Sequence, residues 1–218
     1  MDPRAIWLAR IAMWATIFFF VVMFVAFVFI QPELNPLYRF GSEYAVGRMG
    51  WLMKLNFFVW GAGLIAFALS MAYGLDSDAK SRIAIILFVL AGAGIFLSGV
   101  FDSDLQVLNE NPPPKWIEPA PSDEQILHII VGLAAFFCLF PGAGLVTRRL
   151  RIADRLSGKY RLLRPISWLL PVMFFVSFFV FHSVGYVGLG QRIALIFIFA
   201  WVILAARGME KGAFLLKH

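Results

Sequence analysis

Hydrophobic positions in this chain fall into six long runs separated by short polar breaks. The first run, about 11–30, is an unbroken series of Ile, Phe, Val and Met behind Arg10, a residue placed to extend its charged head toward the interface. The following runs cover about 51–74, 82–100, 123–146, 166–181 and 191–206. Each is near the roughly 20 residues that a helix needs to cross a bilayer. The last two are the shortest. Ser122 followed by Gln125 has the spacing of a capping box and fixes the start of the fourth run. Pro171 is a candidate kink in the fifth run. Pro141 is tolerable near the end of the fourth, because neighbouring helices can satisfy the freed carbonyl. The pattern predicts an all-α, polytopic integral membrane protein, a single six-transmembrane-helix bundle.

The first run is too long for the apolar part of a cleaved leader, and Gln31-Pro32-Glu33 follows it instead of a small-residue cleavage site. It reads as a retained helix. Composition agrees: 61% of the 218 residues are hydrophobic, 17% aromatic and 15% charged. A soluble chain carries nearer a quarter of charged residues. Cys138 is the only cysteine, so no disulfide forms within the chain; it lies mid-run as a small hydrophobe.

Charge gives the orientation. With the N-terminus, the 75–82 and 147–164 loops and the tail on one side, Lys and Arg divide 14 against 5. The positive-inside bias then puts both termini in the cytoplasm. Seven cations crowd 148–164, so this basic loop is expected against anionic headgroups. No basic stripe with interleaved aromatics suggests nucleic acid. Membrane lipids are the expected partners. Gly94, Ser98 and Asp102 recur four apart along the third run, a spacing that permits close helix approach. No internal repeat suggests duplicated transporter halves.

Polar residues collect at the extracytoplasmic end. Ser42-Glu43-Tyr44 precede the second span, Asp102 and Asp104 follow the third, His128 opens the fourth, His182 closes the fifth, and Gln191-Arg192 open the sixth. Acids just past a helix C-terminus sit in an unfavourable field and call for a cation. Arg192 is the first expected partner of Asp104, and Lys54 the second. His128, near a helix N-terminus, is biased toward the neutral imidazole that a ligand or general base needs. Ser42 has no nucleophile-elbow context, and no zinc-protease, phosphate-loop, dinucleotide or haem pattern is present.

These residues carry a resemblance. Ser42-Glu43-Tyr44 with Gly47, Gly50 and Trp51, then Gly99-x-Phe101-x-x-Asp104, then His128 and Arg192, resemble a prokaryotic family of six-span membrane proteins catalogued as a domain of unknown function, number nine hundred ninety-eight. Asp102 stands where that family usually has proline, and Gln191 where it often has glutamate. The resemblance implies a multi-pass protein of a prokaryotic plasma (inner) membrane and no particular activity.

The expected function is binding of a lipid or small amphiphile at an extracytoplasmic polar pocket of Ser42, Glu43, Tyr44, Asp104, His128 and Arg192, with no cofactor. The alternative is an intramembrane metal-assisted hydrolase, with a divalent metal on Asp104 and His128 and further ligands from Asp102 or His182. A small-solute permease is disfavoured, because the spans carry almost no mid-membrane charge.

Overall fold

A computed structural model describes residues 2–104 and 121–214, and these are all-helical. Six helices carry the fold: α1 Pro3–Ile30, α2 Gly50–Gly74, α3 Arg82–Ser98, α4 Asp123–Ile152, α5 Gly158–Phe181 and α6 Val187–Glu210. Five of them are long and apolar enough to cross a membrane. The remaining one, α3, has 17 residues, and at about 1.5 Å per residue it rises about 26 Å, just short of a ~30 Å hydrocarbon core. Turn hydrogen bonds from Gly99, Val100 and Phe101 back to Phe96 and Leu97 continue it slightly. The triple proline 112–114 and the C-terminal His218 lie outside the described residues.

Four helices outrun the hydrophobic runs that announce them, α5 by starting at Gly158 instead of about 166. α1 begins eight residues before position 11, because the Asp2 carboxylate accepts the Arg4 N–H at 2.8 Å and Pro3 occupies the first helical position. α4 continues past Val146 through Arg148, Arg149 and Arg151, so the first part of the expected 147–164 loop is helix. α6 extends at both ends of 191–206. Hydropathy marks where the hydrocarbon ends, whereas a helix ends only where its backbone bonds are capped. In the other direction, α3 stops at Ser98, so Asp102 is not on a helical face with Gly94 and Ser98. The Ser122 cap is present, its Oγ accepting the Gln125 N–H at 3.1 Å. Pro141 and Pro171 both lie inside continuous helix, while π-helical turns interrupt α1 at Val22–Ala26 and α5 at Ser177–Phe181.

The helices form a closed ring in which α1 packs on α2, α2 on α3, α3 on α4, α4 on α5, α5 on α6, and α6 back on α1. α2 and α3 approach each other backbone to backbone at Gly61 and Gly92. An aromatic cluster fills the centre, with Phe19, Trp60 and Phe199 within 5.6 Å of each other by ring centroid. Arg10 on α1 meets Glu210 on α6, so both helical termini share one end of the ring, the terminal end. The connections 31–49 and 182–186, with residues 99–104 and 121–122, lie at the opposite end.

Candidate functional site

At that opposite end, the segment between α1 and α2 folds inward as a roof. Gln31, fully buried at the end of α1, donates from Nε2 to the carbonyls of Tyr44 at 3.0 Å and Arg48 at 2.6 Å. Between them a 3-10 turn, Gly41–Ala45, buries Glu43 and Tyr44. One Glu43 oxygen accepts the Phe40 N–H at 2.9 Å, and the other takes Arg39 at 3.0 Å. Burial pushes the Glu43 carboxyl above its ordinary range, against the opposing pull of Phe40 N–H and Arg39. The Tyr44 ring stacks on Phe27 at 4.9 Å, and burial raises its phenol.

Arg192 secures this roof to α6. Its guanidinium donates to the carbonyls of Pro36 at 2.7 Å, Arg39 at 2.8 Å and Gly188 at 3.1 Å, and to the Tyr44 hydroxyl at 3.2 Å. The three carbonyls converge on Nη1, and Nη2 serves the Tyr44 hydroxyl. Next to it, the Gln191 side chain accepts the Gly41 N–H at 2.7 Å, and Ser42 Oγ lies 3.3 Å from Ser103 Oγ.

The expected Asp104–Arg192 pairing is therefore absent: Arg192 is on backbone carbonyls. The second expected partner, Lys54, is taken by Asp102 at 2.6 Å, a half-exposed pair at the ends of α2 and α3. Asp104 instead accepts Ser122 N–H at 2.8 Å and Ser122 Oγ–H at 2.7 Å, while its own N–H donates to Gln125 Oε1 at 2.8 Å. Asp104 thus plays the part that Gln125 would play in a capping box, and Gln125 reaches back to Asp104. This clasp ties the end of α3 to the start of α4. Asp104→Ala should lower stability by about 1–2 kcal/mol, as loss of a helix cap does. Combined with Arg192→Met or Lys54→Met its effect should add, because the sites share no partner. A double-mutant cycle on detergent-solubilised protein checks this, and strong coupling would restore the ion-pair account.

His128 Nδ1 lies 3.0 Å from the Phe101 carbonyl. A carbonyl only accepts, so Nδ1 carries a proton. His182 stacks on Phe178 on α5, with ring centroids 6.1 Å apart. Asp102, Asp104, His128 and His182 thus face different partners. Among the described residues, no three His, Cys, Asp or Glu side chains converge as a metal site.

Beneath the roof lies a cavity enclosing about 430 Å³ of empty space, its mouth included. Ser42, Gln191, Ser98 and His128 give it a polar rim, while Met23, Phe57, Trp60, Phe136 and Leu195 form apolar walls. Trp60 is 1% exposed, and its indole Nε1–H has no hydrogen-bond partner. The cavity therefore gathers Ser42 and His128 of the expected pocket. Glu43, Tyr44 and Arg192 build the roof behind it, and Asp104 lies in the α3–α4 clasp.

The sequence model of a family described as a protein of unknown function (DUF998) matches residues 13–208. The chain belongs to the DUF998 family. No curated protein and no solved structure matches it.

This DUF998 member also has a polar network at its terminal end, where no cluster was expected. Glu210 on α6 binds Arg10 of α1 and Arg207 of its own helix. Arg155, 6% exposed, donates to Asp76 at 2.8 Å and to the Phe214 carbonyl at 2.7 Å, joining the α2–α3 and α4–α5 connections to the final turn. The Arg155 guanidinium holds the Asp76 carboxyl below its ordinary value. Of the seven cations in 148–164, Arg155 is therefore an internal latch, and the other six are exposed. Trp60 and Arg155 were the missed residues. One lies within an apolar run and the other within a basic one, so each is masked by neighbours of its own kind.

Proposed function

We propose that this chain is a six-span membrane protein that binds a lipid or small amphiphile in the cavity at the end opposite its termini. The observation that carries the reading is the cavity itself, with aromatic sides from Phe19, Phe57, Trp60 and Phe136 and a polar rim of Ser42, Ser98, His128 and Gln191.

Gly132 offers a test that spares the fold. A Cβ added there would meet only Ser98 Oγ, at 3.5 Å, so Gly132→Leu fills the cavity without colliding with backbone. Native mass spectrometry of gently solubilised protein should show a retained amphiphile on the wild type and none on Gly132→Leu. Equal retention by both proteins would sink the reading.

Cytoplasmic termini follow from the charge distribution, supported by exposed Arg148, Arg149, Arg151, Lys159, Arg161 and Arg164 at the terminal end, where anionic headgroups would meet them. In a Cys138→Ser background, Ser157→Cys lies on the exposed turn between α4 and α5. An impermeant maleimide should label it only in broken or inverted membranes. Labelling in intact cells would reverse the orientation.

A further inference from the structure

We infer that the cavity opens sideways into the bilayer between the loop-end halves of α4 and α5, and that its occupant is an acyl chain of a two-chain bilayer lipid. This rests on the binding reading above and specifies both the guest and its route. The first observation is which helices build the cavity. Its lining comes from α1, α2, α3, α4, α6 and the roof; among the described residues none comes from α5, although α5 stands in the ring between α4 and α6.

The packing explains the gap. Midway along the bundle α4 and α5 interlock through Phe174, whose ring lies 5.3 Å from both Phe136 and Phe140. One turn further toward the loop end α5 becomes the π-helical turn Ser177–Phe181, which packs on α6 and has no comparable contact with α4. Ser177 Oγ binds the Gly190 carbonyl, and a Cβ at Gly190 would stand 2.6 Å from Phe181 Cβ, so this part of α5 is held against α6. At the other end α4 and α6 are tied by Trp201 Nε1 donating to Thr147 Oγ1 at 3.3 Å. The pair α5–α6 therefore diverges from α4 toward the loop end, where the cavity lies.

The side chains flanking that gap are bare. Ile129 is two turns from Phe136 on the same face of α4 and is 44% exposed; Phe178 is one turn from Phe174 on α5 and is 50% exposed. Between Ile129 and Phe136 stands Gly132, with no side chain to close the wall. The water-facing route is obstructed by the roof, through Gly41 to Gln191, Ser42 to Ser103 and Arg192 to three carbonyls. A guest that crosses a gap bounded by Ile129, Phe136, Phe174 and Phe178 crosses apolar surface throughout. That selects a hydrocarbon chain over a headgroup. Asp123 and Glu124 are exposed at the start of α4, so a zwitterionic headgroup is the suitable probe there.

The experiment uses the full chain in vesicles containing a zwitterionic phospholipid with a diazirine midway along one acyl chain. After photolysis, crosslinks are mapped by mass spectrometry. The expected result is labelling on the cavity wall at Met53–Trp60 that falls to background in Ile129→Trp/Phe178→Trp, which narrows the gap at lipid-exposed positions, and rises in Phe178→Ala, which widens it. Gly132→Leu must abolish the same labelling. If Gly132→Leu abolishes it while the tryptophan pair and Phe178→Ala leave it unchanged, binding stands and the lateral route is wrong. If the wild type shows no labelling at Met53–Trp60, or Gly132→Leu leaves it intact, the binding reading falls and the route with it. Should the tryptophan pair fail to fold, Phe178→Ala still decides, since unchanged labelling there overturns the proposal.

Discussion

Gly61→Leu should leave little folded protein in detergent. α2 and α3 touch through their backbones at this point: a Cβ on Gly61 would lie 2.6 Å from the Gly92 carbonyl oxygen and 2.7 Å from the Phe96 nitrogen, and a Cβ on Gly92 would lie 2.6 Å from the Gly61 oxygen. Overpacking usually costs about 1–3 kcal/mol because neighbouring side chains can move aside. Here the obstructing atoms are main chain on both sides, so two helices must separate, and the cost should exceed about 3 kcal/mol. In a bilayer, close packing between small residues is a main source of helix association, so that loss has little to offset it. Gly144→Leu is the control, since nothing lies within 4 Å of a Cβ there. Size-exclusion profiles and thermal melts of the two variants check this. A Gly61→Leu protein that melts with Gly144→Leu would mean that the helices have room to part.

The six runs of apolar residues were legible because a bilayer demands about 20 of them in a row, and Gly50–Gly74 matches its run to within a residue. The starts of α1 and α4 were marked by caps: Ser122 was read, whereas Asp2-Pro3 lay hidden ahead of Arg4 and Arg10. The site was legible only as a neighbourhood. Helix alternation places Ser42, Asp102, Asp104, His128 and Arg192 at one end, but it does not say which of them touch. Arg192 was given a carboxylate because charge invites charge; the structure gives it the carbonyls of Pro36, Arg39 and Gly188. Backbone acceptors have no signature in a sequence, so such partners are found only once the chain is folded. The same blindness hid Trp60, whose significance is an N–H without an acceptor.

Arg192→Met should release the roof. The side chain is nearly buried, at 8% exposure, and its guanidinium is the donor that reaches Pro36 O, Arg39 O and Tyr44 Oη together. Methionine fills similar space and supplies no donor, so these acceptors lose that partner where water is scarce, at about 1–3 kcal/mol each. Removing a buried charge returns some desolvation cost, which offsets part of the loss. A net destabilisation on the order of 3–5 kcal/mol is expected. Arg192→Lys should recover only part of it, because an ammonium can take the place of Nη1, which serves all three carbonyls, but leaves the Tyr44 hydroxyl without its Nη2 donor. The damage should be local before it is global. Arg39 is 7% exposed in the intact roof, so trypsin should cut after it in Arg192→Met at temperatures where the wild type resists. The cavity beneath should lose its amphiphile in the same variant, since Gly41 and Ser42 line it and belong to the released segment. If Arg192→Met lowers the melting temperature while Arg39 stays protected and the amphiphile is retained, Arg192 acts by packing within α6, and the roof is held by Gln31 and Gln191 instead.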